Sequence, residues 1–162
     1  MKINKIISGG QTGVDMAALK VAKNLQIETG GWAPPAMQNE VGKIPDIYNL
    51  KPTPDDRSSN APDIPHSQRT ELNVKDSDGA LIILPYKEFH CQGTNLALQL
   101  AKRLGKPVFT IFLNEKISKL EFRQWLNENQ IQILSIGGPS ESSIKGIEKT
   151  STETLKKLMT NQ

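Results

Sequence analysis

Residues 3–15 read INKIISGGQTGVD, an apolar run that ends in two glycines, a Gln-Thr-Gly turn and an aspartate. The run predicts a strand at about 3–8. Directly after it Val14, Ala17, Ala18, Leu19, Val21, Ala22 and Leu25 recur at helical spacing, which predicts a helix near 14–25. Gly9, Gly10 and Gly13 remove side chains where a backbone must turn sharply or approach a ligand. The first amides of the helix have no partner within it, so strand, turn and helix start together make a place for an anion. A Walker A loop would need Gly-Lys-Ser/Thr and a dinucleotide fingerprint G-x-G-x-x-G. SGGQTG has neither, and ATP hydrolysis and nicotinamide chemistry lose support.

The same alternation continues along the chain. Further strands are expected at about 27–33, 79–84 (GALIIL), 107–113 (PVFTIFL) and 131–136 (IQILSI), with helices near 67–76, 94–104, 118–129 and 151–159. Strands alternating with helices predict an α/β, Rossmann-like, doubly wound parallel sheet of about five strands with helices on both faces, in the order 2-1-3-4-5. Leu96, Leu100 and Leu104 with Ala97 and Ala101 form one apolar helix face, and Ser118 with Glu121 and Thr150 with Glu153 read as capping boxes. In such sheets ligands sit beyond the carboxyl ends of the strands. That edge receives SGGQTG, then Gly93-Thr94 at another helix start, then Gly137-Gly138 before Pro139. Ser8, Gly9, Gly10, Gln11, Thr12, Gly13, Gly93, Thr94, Gly137 and Gly138 are therefore expected at the ligand, with the Thr12 and Thr94 hydroxyls as donors and Arg69 as a cation for its anionic oxygens. Gly10→Val is expected to block binding in a folded protein. Asp15 reads as orienting the first helix amides or as meeting an amide edge of the ligand, and Asp76 and Asp78 as turn formers. His90 and Cys91 fall in the second site loop.

Residues 34–66 break the rhythm, holding seven of the ten prolines. An excursion of this length is read as an ordered cover over the crevice within one domain spanning 1–162, with Trp32 and Tyr48 as flat surfaces for stacking. The composition is that of a soluble, cytoplasmic protein: 36% hydrophobic residues, mean hydropathy -0.43, and no apolar run of the roughly 18 residues a membrane span needs. One cysteine leaves no disulfide framework and no multi-cysteine metal site. A net charge of +3 favours an anionic partner, but scattered lysines and 5% aromatics give no nucleic-acid footprint.

SGGQTGVDMAAL (8–19), GGW (30–32), IPDIYNL (44–50), RTELNVKDSDGALIIL (69–84), GTNLAL (93–98) and GGP (137–139) resemble the molybdenum carrier family, the molybdenum cofactor carrier proteins. The resemblance implies a Rossmann-like homo-oligomer that binds, protects and transfers molybdopterin, a phosphorylated pterin with molybdenum on its dithiolene, and that exchanges it with molybdoenzymes or cofactor-biosynthesis proteins. The fold is similar to that of the lysine-decarboxylase-like phosphoribohydrolases, whose motif GGxGTxxE carries a catalytic glutamate. Ala97 stands at that glutamate here, so the resemblance implies a carrier rather than an enzyme, with no catalytic metal. The alternative is a phosphoribohydrolase or nucleotide sensor using the same crevice. After GGW, family members often carry Cys-Pro and basic residues, where this chain has Ala33, Pro34, Pro35, Ala36, Met37 and Gln38.

Overall fold

The computed structural model describes residues 2–160. The chain runs β1 (Lys5–Ile7), α1 (Val14–Asn24), β2 (Glu28–Gly30), β3 (Trp32–Ala33), a hairpin of β4 (Gln38–Asn39) and β5 (Gly42–Lys43), a 3-10 turn (Asp46–Tyr48) and β6 (Lys51–Pro52). It continues with α2 (Ser67–Lys75), β7 (Gly79–Leu84), α3 (Gln92–Arg103), β8 (Val108–Phe112), α4 (Lys119–Glu128), β9 (Ile133–Gly137) and α5 (Ile147–Met159). β2, β1, β9, β7 and β8 form one five-stranded, all-parallel sheet, and the architecture is α/β and Rossmann-like.

Counted along the chain, those five strands lie in the order 2-1-5-3-4. The first four keep the expected sequence 2-1-3-4, but the fifth is inserted between the first and third rather than added at the edge. Ile6 pairs with Leu134 on one side, and Leu81 pairs with Ile136 on the other. Burial gives the reason. Leu134, Ser135 and Ile136 are all buried, as a strand covered on both faces must be, whereas β8 buries only Ile111 and takes the edge.

Side chains on β7 alternate between two layers. Leu81 and Ile83 enter the main core with residues of α1, α4 and α5, including Phe122, Leu126 and Leu155. Ala80 and Ile82 face the layer that contains α2 and α3, where Val74 packs on Leu96, Leu100 and Ala101. Leu104, expected on that apolar face, is 41% exposed because it follows the last turn of α3.

Two helix starts differ in instructive ways. Ser118 caps α4 as expected, its hydroxyl accepting the Glu121 amide at 3.2 Å. The Thr150–Glu153 box does not form. α5 begins earlier, after Gly146, because the Glu141 carboxylate accepts the amides of Gly146 and Glu148 and supplies the cap from outside. Thr150 then lies inside the helix, its hydroxyl donating back to the Gly146 carbonyl.

Most of the proline-rich excursion packs away from the carboxyl edge of the sheet. Ile44, Tyr48 and Leu50, with Ala33, cover Met16 and Leu19 on α1. Only Ile64 and Pro65, just before α2, reach the crevice, so a cover over the whole crevice is not what the segment builds.

Candidate functional site

A cavity of about 260 Å³ opens at the carboxyl ends of β1, β9 and β7, on the α2/α3 side. All three glycine turns reach it. From the first come Ser8, Gly9 and Gln11, from the second Gly93 and Thr94, and from the third Gly137 and Gly138. α2 contributes Arg69, Thr70 and Asn73 to the wall. Ala97 faces the same space, so the position of the hydrolase glutamate does lie at the cavity, without a carboxylate. Asp15 is the one acidic and Arg69 the one basic side chain among the described residues lining it.

The α1 start does not hold the vacancy expected of it. The Val14 amide donates to the Pro139 carbonyl at 3.2 Å, and the Met16 amide to the Gln11 carbonyl at 3.1 Å. Asp15, 7% exposed, turns its carboxylate back so that Oδ2 accepts the Gln11 amide at 3.2 Å. A protein carboxylate thus already occupies the position of an anion. Burial pushes the Asp15 carboxyl pKa up, while the Arg69 guanidinium and the Gln11 amide pull it down. Burial in turn lowers Arg69, opposed by the charge of Asp15 and then of Asp56. Arg69 lies against Gly9, Nη1 donating to its carbonyl at 3.4 Å, and a methyl at Gly9 would come within 2.9 Å of the arginine Cδ.

The start of α3 is different. Gln92, Gly93 and Thr94, whose amides are the first of the helix and have no partner within it, line the cavity after the extended residue Cys91. Thr94 is 5% exposed, and its hydroxyl has no protein partner. A helix N-terminus and the hydroxyl of a largely buried threonine on one concave surface form a donor set for an oxyanion.

Four of the residues expected at the ligand lie elsewhere. Gly10 and Gly13 have φ of +78° and +81°. A methyl at Gly10 would strike Ile44 Cδ1 at 2.7 Å and one at Gly13 the Pro139 carbonyl at 2.4 Å, so both serve packing behind the turn. Thr12 points to the opposite side, its hydroxyl bonded to Glu40 and accepting the Glu141 amide at 3.1 Å. Trp32 stands on the flank, where its indole N–H donates to Asp76 at 2.8 Å. Ser8 and Gln11 line the cavity but are engaged: the Ser8 hydroxyl donates to the Ile136 carbonyl at 2.6 Å, and Gln11 Oε1 accepts the Thr12 amide at 2.9 Å. Asp78, read as a turn former, caps β9 by accepting the amides of Gln132 and Ile133.

Sequence reasoning treated Asp15 mainly as a helix-capping residue and did not point to Asn73. The signal for Asp15 was its position one residue into the helix after a glycine turn. Asn73, buried, fixes the wall through the Trp32 backbone, accepting its amide at 2.7 Å and donating to its carbonyl at 3.0 Å. Among the described residues no three His, Cys, Asp or Glu side chains gather as metal ligands, and no helix is long and apolar enough to cross a membrane.

The profile of the circularly permutated YpsA SLOG family matches residues 6–159. The chain belongs to this family. The sheet displays the permutation: moving the last strand ahead of the first converts 2-1-5-3-4 into 3-2-1-4-5, the familiar doubly wound order. The crystal structure of a "Putative molybdenum carrier protein" from Syntrophus aciditrophicus SB is similar, with a TM-score of 0.82 and 35% identity over 98% of this chain and 95% of that one. No curated protein matches the chain. A YpsA SLOG family member with this cavity is suited to a ligand-binding role.

Proposed function

We propose that this family member binds a small phosphorylated ligand in the cavity, and that the ligand is the molybdopterin form of the molybdenum cofactor, held for protection and transfer to molybdoenzymes in the cytoplasm by a self-associating carrier. The observation that carries the reading is the convergence of the α3 amides, the unpartnered Thr94 hydroxyl and the Gly137-Gly138 turn on one cavity. The carrier name of the Syntrophus protein supports the choice of cofactor. The residues fit its organic part. Phosphate oxygens suit the amides and hydroxyl at α3, and the apolar side chains Ile64, Ile82 and Val74 suit a ring. Molybdenum would travel as cargo on the dithiolene sulfurs, outside a cavity whose 260 Å³ holds part of the ligand and leaves the rest projecting.

Ala97 at the cavity wall supports binding without glycosidic cleavage, since no carboxylate stands there to assist a departing base. The test is retention of cofactor released from a molybdoenzyme. The protein is expected to co-elute with it and slow its oxidation in air, and Thr94→Val, which removes one hydroxyl donor at nearly constant volume, is expected to weaken retention about tenfold. Absence of retention by the unaltered protein overturns the reading. Release of free base from nucleoside monophosphates would replace it with the hydrolase alternative.

A further inference from the structure

A second concave surface, a groove of about 810 Å³, lies between α1, the β4–β5 hairpin and the segment that leads into α5. Two loops divide it from the cavity, and their residues are shared out between the two. Gln11, Ser140 and Ser143 line the cavity, whereas Thr12, Glu141 and Ser142 line the groove. Its volume lies in the range of small-molecule sites.

The formal charges along the groove cancel, three lysines against three glutamates, so its preference is set by the groups that remain free. The carboxylates are in use. Glu40 accepts from Thr12 and Ser142, Glu141 accepts the Gly146 and Glu148 amides, and Glu148 pairs with Lys20 at 3.3 Å. Asn39 is spent too, donating to the Gly10 carbonyl and accepting the Val41 amide. Lys43 pairs with Asp46 at 3.4 Å. Two polar groups of the groove are left without a partner in the protein, the Lys145 ammonium and the Tyr48 hydroxyl. Tyr48 is 5% exposed, its ring packed with Met16, Leu19 and Ile44, yet its hydroxyl is not sealed from solvent and opens on the groove. A buried tyrosine normally finds a partner for its hydroxyl, and here the groove is where one can reach it.

We infer that the groove is a second ligand site, distinct from the cavity, and that it takes a small amphiphilic carboxylate. The Tyr48 hydroxyl and the Lys145 ammonium both donate, and a carboxylate accepts from both. Met16, Pro45 and Val41 offer apolar surface to the rest of the molecule, Val41 standing 82% exposed on the hairpin. A cationic or donor-only head group finds no acceptor there that the protein has not already engaged.

The probes are octanoate, 2-naphthoate, octanol and octylamine, titrated by calorimetry against the full chain, with ribose 5-phosphate as a probe of the cavity. One of the two carboxylates is expected to bind at least about tenfold more tightly than octanol and octylamine, and the tighter assigns a chain or a ring. Tyr48→Phe removes only the hydroxyl and is expected to weaken carboxylate binding about tenfold, while Lys145→Gln weakens it about threefold. Ribose 5-phosphate binding is expected to be the same with the groove filled or empty, and the same in both variants. A folded Tyr48→Phe protein with unchanged carboxylate affinity overturns the inference. So does equal affinity of the unaltered protein for octanoate and octanol, whether or not the variant folds, and so does the absence of saturable carboxylate binding at millimolar concentration. Competition between a carboxylate and ribose 5-phosphate would place both in the cavity and overturn it as well. Failure of ribose 5-phosphate alone to bind counts against the cavity reading and leaves the groove to be judged by the other probes.

Discussion

Gly10 shows how one residue's role depends on what lies behind it. Its place in SGGQTG suggests a gap left for ligand, but its φ of +78° and the 2.7 Å and 2.8 Å approaches to Ile44 and Leu50 assign the gap to the protein's own excursion. Gly10→Val is therefore expected to cost about 3 kcal/mol, from a strained backbone and an overpacked cluster. Gly93→Ala is the contrast. A methyl there meets nothing within 4 Å, and stability is expected to stay within about 0.5 kcal/mol. Urea unfolding of the two variants checks both, and a native-like midpoint for Gly10→Val would return that residue to the ligand site. The sequence located the three glycine turns correctly because glycine content is a local signal. It could not say which glycines face the cavity, because Ile44 and Leu50 reach Gly10 from more than thirty residues away.

Among the elements, the β4–β5 hairpin braces two segments that line the cavity without lining it itself. Glu40 at its tip bonds to the Thr12 hydroxyl, accepts the Ser142 amide at 3.1 Å and accepts the Ser142 hydroxyl at 2.6 Å. Beside it, the Asn39 side-chain amide donates to the Gly10 carbonyl at 2.9 Å. One hairpin thus ties the first glycine turn to the loop after β9, and both of those segments line the cavity. The Ser142 and Thr12 hydroxyls hold the Glu40 carboxyl below its ordinary 4.5. A carboxyl lowered in the folded state stabilises above the unfolded value and loses that contribution as pH falls through the folded one. Glu40→Ala is expected to cost about 1 kcal/mol at pH 7, discounted for exposure, with the gap from the unaltered protein closing below pH 4.5. Thermal unfolding at several pH values measures it; a gap independent of pH would show that packing, not the carboxylate, is what the substitution removes. Deleting the segment between Pro35 and Pro62 would remove Ile44, Tyr48 and Leu50 from α1, so such a deletion reports on folding before it reports on cofactor lifetime. Proline content marked the segment as unusual, but its partners on α1 are visible only in three dimensions.

At the scale of the molecule, alternation of apolar strands with amphipathic helices was enough to give the sheet, its parallel sense and the edge that carries the site. Strand order was not. IQILSIG gives no local sign that it lies between β1 and β7, since GALIIL is equally apolar and the choice is made by pairing partners far apart in the chain. If connectivity is secondary to pairing, a permutant opened between Asn129 and Gln130, after α4, with the present ends joined by a flexible Gly/Ser linker, is expected to build the same sheet in the order 3-2-1-4-5. Circular dichroism and ribose 5-phosphate binding close to those of the parent would bear this out. A molten product would show that the present connections are required.

Threading the central strand last also sets a timetable on the ribosome. Until β9 emerges, β2 with β1 and β7 with β8 are separate two-stranded pieces, each too small to persist alone and each with an open edge toward the missing strand. The 25 residues from Phe112 to Gly137 take roughly 1–5 s to synthesise, an interval in which those edges need shielding from other nascent chains. The cavity shares the delay, because its floor is the Gly137-Gly138 turn. A ligand therefore has nothing to bind while the sheet is incomplete, and can stabilise the chain only after the central strand has been inserted.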